Sequence, residues 1–176
     1  MQLADVDTAN NLVELFLKRA DEKADEAFLG AKRDGEWQTI TWQEAASRVC
    51  LLAENLRKLG LQDGDRVMLV SENRPEWCIA DLAIMAAGGI SVPAYITNTE
   101  RDHVHILDNS GAKVVIVSNA KLAKPLLPAI MRTGIADHII SIEELPPYQS
   151  GDLTQRSWAS MLIGDAQQAR AAVKKR

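Results

Sequence analysis

The chain has 176 residues, of which 47% are hydrophobic and 25% charged, and its net charge is −4. That length suits one ordinary domain, and the apolar fraction is enough for a buried core, which excludes disorder as the dominant state. The mildly acidic balance offers no basic face for nucleic acid, and the one cationic cluster, Lys174, Lys175 and Arg176, reads as the solvated tip of a helix.

In chain order, Leu12, Leu15, Phe16 and Ala20 recur at three- and four-residue spacing and predict a helix over residues 10–20. Two β-prone runs then flank Asp34-Gly35, a turn signal, so residues 26–41 read as a hairpin. Thr41 and Glu44 form a capping-box pattern: the Thr41 hydroxyl can accept the amide of residue 44 while the Glu44 side chain reaches back. The helix they open carries Ala45, Val49, Leu52, Leu56 and Leu59 on one stripe and stops at Gly60. Residues 66–70 read as a short buried strand.

Asn73 is the expected cap of the next helix, with Pro75 tolerated in its first turn and Glu76 favoured at the positive end of its dipole. Residues 77–87 are apolar nearly all round, so that helix needs cover on most sides. If part of it were bare, the chain would self-associate, as a homodimer or less specifically. Gly88 and Gly89 read as helix stops, and Ile90-Ser91-Val92-Pro93 reads as a strand that Pro93 ends or keeps near an edge. Thr99 opens a further helix, and residues 113–117 are the most strand-like run. Residues 121–131 read as helix, with a start blurred by Pro125 and Pro128. Residues 138–141 make a last strand, and residues 143–176 read as a weakly structured or peripheral tail with helical candidates at 158–162 and 165–176. This alternation predicts an α/β fold: a mainly parallel sheet flanked by helices, with a small antiparallel hairpin near the amino terminus.

Cys50 and Cys78 sit in apolar helical patterns and read as buried, reduced thiols, consistent with the cytoplasm. Met1-Gln2-Leu3-Ala4-Asp5 shows no secretory pattern, and the apolar tract over residues 79–93 is broken by Asp81, Ser91 and two glycines, so no transmembrane segment is expected. Neither phosphate-binding glycine pattern is found. His103 and His105 lie two apart and would face opposite sides of a helix, so no metal site is expected. Trp42 and Trp77 read as packing residues rather than pocket walls. No nucleophile motif is visible.

Six phrases occur in order: Asn10-Asn11-Leu12-Val13-Glu14-Leu15-Phe16, Ile40-Thr41-Trp42-Gln43-Glu44, Leu59-Gly60-Leu61-Gln62-Asp63-Gly64-Asp65-Arg66-Val67, Glu72-Asn73-Arg74-Pro75-Glu76-Trp77, Ala86-Ala87-Gly88-Gly89-Ile90-Ser91-Val92-Pro93, and Ile106-Leu107-Asp108-Asn109-Ser110-Gly111-Ala112-Lys113. Together they resemble the start of the adenylate-forming superfamily. The run from Val92 to Thr99 is similar to its long-chain fatty-acid branch, in which a Tyr-x-Thr segment follows a Val-Pro strand. The resemblance implies an AMP-forming acyl-CoA synthetase, which makes an acyl-adenylate from a fatty acid and ATP and then passes the acyl group to CoA. It implies one partial domain over 1–176, the amino-terminal subdomain of an AMP-binding (adenylation) domain, whose partner is the remainder of that domain. The family's Thr/Ser/Gly-rich loop, adenine-binding motif, ribose-binding Asp and carboxy-terminal Lys are not in this sequence. No catalytic residue is therefore carried over, no cofactor is expected on this chain alone, and Mg-ATP and CoA belong to the full-length enzyme. Tyr95 and Thr97 are the candidate walls of an acyl or CoA channel, with ordinary loop packing as the alternative. An acyl-AMP ligase acting on a carrier protein and a stand-alone, non-catalytic α/β binding module are the other readings.

Overall fold

The computed structural model describes residues 9–147 and 153–176. The expectation on residues 1–5, and the part of the expected tail at residues 148–152, lie outside the described residues. Helix α1 (Leu12–Lys23) is capped by the Asn11 side chain, which accepts the Glu14 amide at 2.8 Å. Strands β1 (Ala27–Arg33) and β2 (Glu36–Thr41) form the antiparallel hairpin. Its turn places both Asp34 and Gly35 at positive φ, the conformation that two-residue hairpin loops require. The Thr41–Glu44 capping box is complete in both directions and opens α2 (Trp42–Lys58). Phe16, Phe28 and Trp42 stack where α1, the hairpin and α2 meet, with ring centroids 3.9–5.9 Å apart.

The main sheet follows: β3 (Arg66–Val70), α3 (Pro75–Ala86), β4 (Ile90–Ala94), α4 (Glu100–Ser110), β5 (Val114–Val117), α5 (Ala120–Thr133), β6 (His138–Ser141) and β7 (Thr154–Ser157). All pairings are parallel, in the order β4-β3-β5-β6-β7. Alternating side chains divide the strands between two cores. Val67, Leu69, Val114, Ile116 and Ile140 face α2 and α3. Met68, Val70, Val115, Val117 and Ile139 face α4 and α5. Helices α1 and α6 (Ala166–Lys174) lie outside α2, α6 arriving after a short 3-10 helix at Ala159–Leu162.

At the β4 edge, Ile90 donates its amide inward to Asp65. Alternation along a parallel ladder then turns Ser91 and Pro93 outward. The missing amide of Pro93 thus falls on the open side, where it breaks no ladder bond and denies one to an added strand.

Two expectations are corrected. Residues 153–176 are not weakly structured: β7 completes the sheet, Trp158 and Met161 are buried, and Ala169 is sealed against α2. Asn73 does not cap α3. The cap position is Arg74, whose guanidinium has only donors and cannot accept a helix amide; it pairs with Glu76 and Glu143 instead. Helix α3 is covered as its apolar pattern requires, each of its residues being buried or half-buried between the sheet, α2 and the hairpin. Helix α5 starts cleanly at the Asn119 cap with both prolines inside. The amides they lack would bond the carbonyls of Lys121 and Lys124, both solvent-exposed residues, so water can serve those groups.

Candidate functional site

The chain reverses direction across the sheet at β3. It runs outward to β4, then crosses back to β5 on the other side, so β3 and β5 flank a topological switch point. In open α/β sheets the crevice beyond the strands' carboxyl ends at such a point is the general place for a ligand. Here that crevice has a cavity volume of about 750 Å³, with the hairpin as one wall and the loops after β3, β5 and β6 as floor. A larger groove, about 1,410 Å³, runs between α1, α6 and the turns before β3 and β4, away from the strands' carboxyl ends, and its lining includes Asp21, Asp63, Lys174 and Arg176.

Three carboxylates and two guanidiniums organise the crevice. Glu72, two residues past β3, accepts the Ser118 hydroxyl at 2.5 Å and the Asn119 amide at 2.8 Å, both just past β5. Burial opposes the charge on Glu72, but these two bonds and nearby Arg74 outweigh it and hold the carboxyl below its ordinary range. Arg74 donates to Glu76 at 2.8 Å and to Glu143, just past β6, at 2.7 Å. Glu76, buried to 7% exposure, also accepts Arg33 from the hairpin at 2.5 Å. Burial again works against its charge, and the two arginines reverse the balance, so Glu76 titrates below its ordinary value. One carboxylate therefore ties the hairpin to the β3–α3 loop, and Arg74 extends the tie to β6.

Of the residues singled out from sequence, Asn73, Pro75 and Trp77 line this crevice and Glu76 anchors its wall. Tyr95 and Thr97 are not among its lining: they stand exposed after β4, Tyr95 at 81%. Thr41 and Glu44 serve the α2 cap, and Pro93 the sheet edge. Gly88 and Gly89 stop α3 and also meet the turn before β3, where the Gly64 amide bonds the Gly88 carbonyl at 2.8 Å. His103 is buried and His105 exposed, as their spacing requires. Sequence reasoning missed Arg33, Glu72, Arg74, Asn119 and Glu143. The available signal was positional: in each case but Arg33, a polar residue lies two to four positions after a buried strand.

The crevice does not fit a nucleotide triphosphate. Both arginines are committed to carboxylates, three carboxylates line or anchor it, and the first turn of α3 holds Pro75 and the buried Glu76. Among the described residues no cluster of three His, Cys, Asp or Glu side chains could hold a metal ion, and no helix is long and apolar enough to cross a membrane.

Residues 16–173 match the AMP-binding enzyme family. A long-chain-fatty-acid–CoA ligase of Mycobacterium tuberculosis is 42% identical over 82 residues, 47% of this chain but 14% of the ligase. A long-chain-fatty-acid–CoA ligase of Gallus gallus is 29% identical over 106 residues, again 14% of its length. An uncharacterised protein of M. tuberculosis is 31% identical over 114 residues, 64% of this chain and 62% of its own length. In fold, the chain resembles the adenylation domain of a carboxylate reductase from Mycobacterium chelonae, with a TM-score of 0.78 at 16% identity, covering 95% of this chain and 30% of that one. The match thus spans about one seventh of the curated ligases' length.

Proposed function

The chain belongs to the AMP-binding enzyme family, and from that premise we propose that it is the amino-terminal part of an ATP-dependent, AMP-forming fatty-acid–CoA ligase. The observation that carries this reading is the 42% identity to the mycobacterial ligase, alongside a family match over residues 16–173. The parent would join a fatty acid to CoA through an acyl-adenylate in the cytoplasm, with Mg-ATP and CoA held by parts of the enzyme outside these residues. The five-stranded sheet and its crevice would then serve as scaffold, with Tyr95 and Thr97 as proposed walls facing the remainder of the adenylation domain. The misfit between the crevice and a triphosphate supports the further proposal that the 176 residues are inactive alone.

Fatty-acid-dependent exchange of pyrophosphate into ATP tests this. The full gene product is expected to catalyse exchange and, with CoA, to release acyl-CoA, while the 176-residue chain does neither. A full product without exchange removes the ligase reading. Exchange with no transfer to CoA moves the parent to the acyl-AMP ligases. A second reading, a stand-alone binding module, draws support from the uncharacterised mycobacterial relative, which is matched over 62% of its own length. A gene product that ends at this length and still binds a protein partner would favour it.

A further inference from the structure

We propose that α6 is a detachable strap: it lifts from α2 as a unit about Gly164 while the sheet stays folded, and its release uncovers the thiol of Cys50. The base of the strap is fixed. Trp158 and Met161 are buried, and the Asn55 side chain of α2 donates to the carbonyls of Met161 and Ile163 at 2.9 and 3.1 Å. Directly after this anchor, Gly164 sits at φ +146°, a conformation open to glycine and strained for other residues, which makes it the natural pivot.

Beyond the pivot the seat is thin. Helix α6 has nine residues, too few to persist alone in water. Its only fully buried side chain is Ala169, with Ala166 and Val173 partly buried beside it, so little apolar surface is covered. Cavities flank it on both sides: the 1,410 Å³ groove reaches Val173 and Lys174 from the α1 side, and one of about 310 Å³ lies between Ala53, Ala169 and Ala172. What holds it down is polar: Arg170 donates to the Leu17 carbonyl and Arg176 to the Ala87 carbonyl, each at 3.0 Å, and the rest is ionic. Asp21 of α1 accepts Arg170 at 2.7 Å and Lys174 at 2.9 Å, and Asp63 accepts Arg176 at 2.8 Å. Both aspartates are more than half exposed, so salt screens these pairs.

Cys50 lies on α2 with no exposed surface, in one core cluster with Ala169 and one turn before Ala53, which shares a cavity with Ala169 and Ala172, so α6 covers this face of α2. Burial pushes the thiol up to about 11, so in the closed form it is shielded and barely ionised, and labelling reports opening.

The test is thiol labelling of the full chain with Cys78→Ser, since Cys78 is partly exposed. Raising NaCl from about 0.01 to about 1 M, which shortens the screening length from about 30 to about 3 Å, is expected to speed labelling of Cys50 without changing far-UV circular dichroism. At low salt, Lys174→Gln is expected to speed it about 1.5-fold to fivefold, the range for loss of one exposed ion pair, and Asp21→Asn, which loses two, is expected to speed it more. The dependence of the labelling rate on urea should be shallow, because little surface opens with the strap. A urea dependence as steep as that of global unfolding, or unchanged rates in both variants, overturns the proposal.

Discussion

Glu76 illustrates how much one buried carboxylate can organise. Replacing it by Gln keeps its volume but leaves Arg33 and Arg74 without their shared anion. Full loss of one partner in a buried pair costs about 3–5 kcal/mol, but Arg33 is half exposed and water would take up part of its charge. The expected loss for Glu76→Gln is about 2 kcal/mol by urea unfolding. The pH sign follows from its depressed titration. Glu76 is ionised more readily when folded, so its contribution is complete above its ordinary value of 4.5 and fades as pH falls through the folded value. Stability of the Gln variant should accordingly fall less steeply below pH 4.5. Gly88 is a second such residue. It holds φ +85°, and an added Cβ would lie 2.2 Å from Asp63 Oδ1, an oxygen held by Arg57 and Arg176. Gly88→Ala is expected to lower stability by about 1–3 kcal/mol through backbone strain and loss of those pairs. In the Asp63→Ala background part of that loss should vanish, which a double-mutant cycle would read directly.

At the scale of elements, helices and strands were legible wherever one physical signal dominated. The Thr41–Glu44 pair marked the start of α2 because a capping box needs only two residues at fixed spacing. Val114 to Val117 read as strand because both faces are buried, and parallel strands covered on both sides are continuously apolar. Strand β7 escaped notice for the opposite reason: Thr154, Gln155, Arg156 and Ser157 lie on the sheet edge, where backbone pairing with β6 places them and no apolar pattern is needed. Asn73 misled as a cap because the cap position falls on Arg74, whose pairing with Glu143 reaches a residue 69 positions away. The crevice was illegible for the same reason, since its ion pairs join segments that only the crossover topology brings together. Helix α4 offers a test of burial itself. His103 lies inside its apolar face, and burial lowers its titration against the pull of Asp102. Folding therefore favours the neutral ring, and stability should decline as pH falls below 6.5, the ordinary value, toward the lower folded one. His103→Leu is expected to flatten the stability profile in that window, and an unchanged slope would mean that another group causes it.

The whole molecule is two hydrophobic cores sharing one five-stranded sheet, and the question is whether they unfold together. All four tryptophans lie on one side of that division. Trp42, Trp77 and Trp158 pack with the core beneath α2 and α3, and Trp37 stands on the hairpin at the crevice. Fluorescence therefore reports one core, whereas circular dichroism reports every helix. Leu126 is fully buried in the other core, on α5. Leu126→Ala should cost about 2–5 kcal/mol by removing buried carbons and leaving a cavity. Adjacent residues of one strand, such as Val67 and Met68, serve opposite cores, so neither core can dissolve without releasing the backbone that shapes the other. The urea midpoint followed by tryptophan fluorescence should thus shift as far as the one followed by circular dichroism, although no tryptophan touches the altered core. A fluorescence midpoint that stays in place while the dichroism midpoint falls would show that α4 and α5 detach from a sheet still held by α2 and α3.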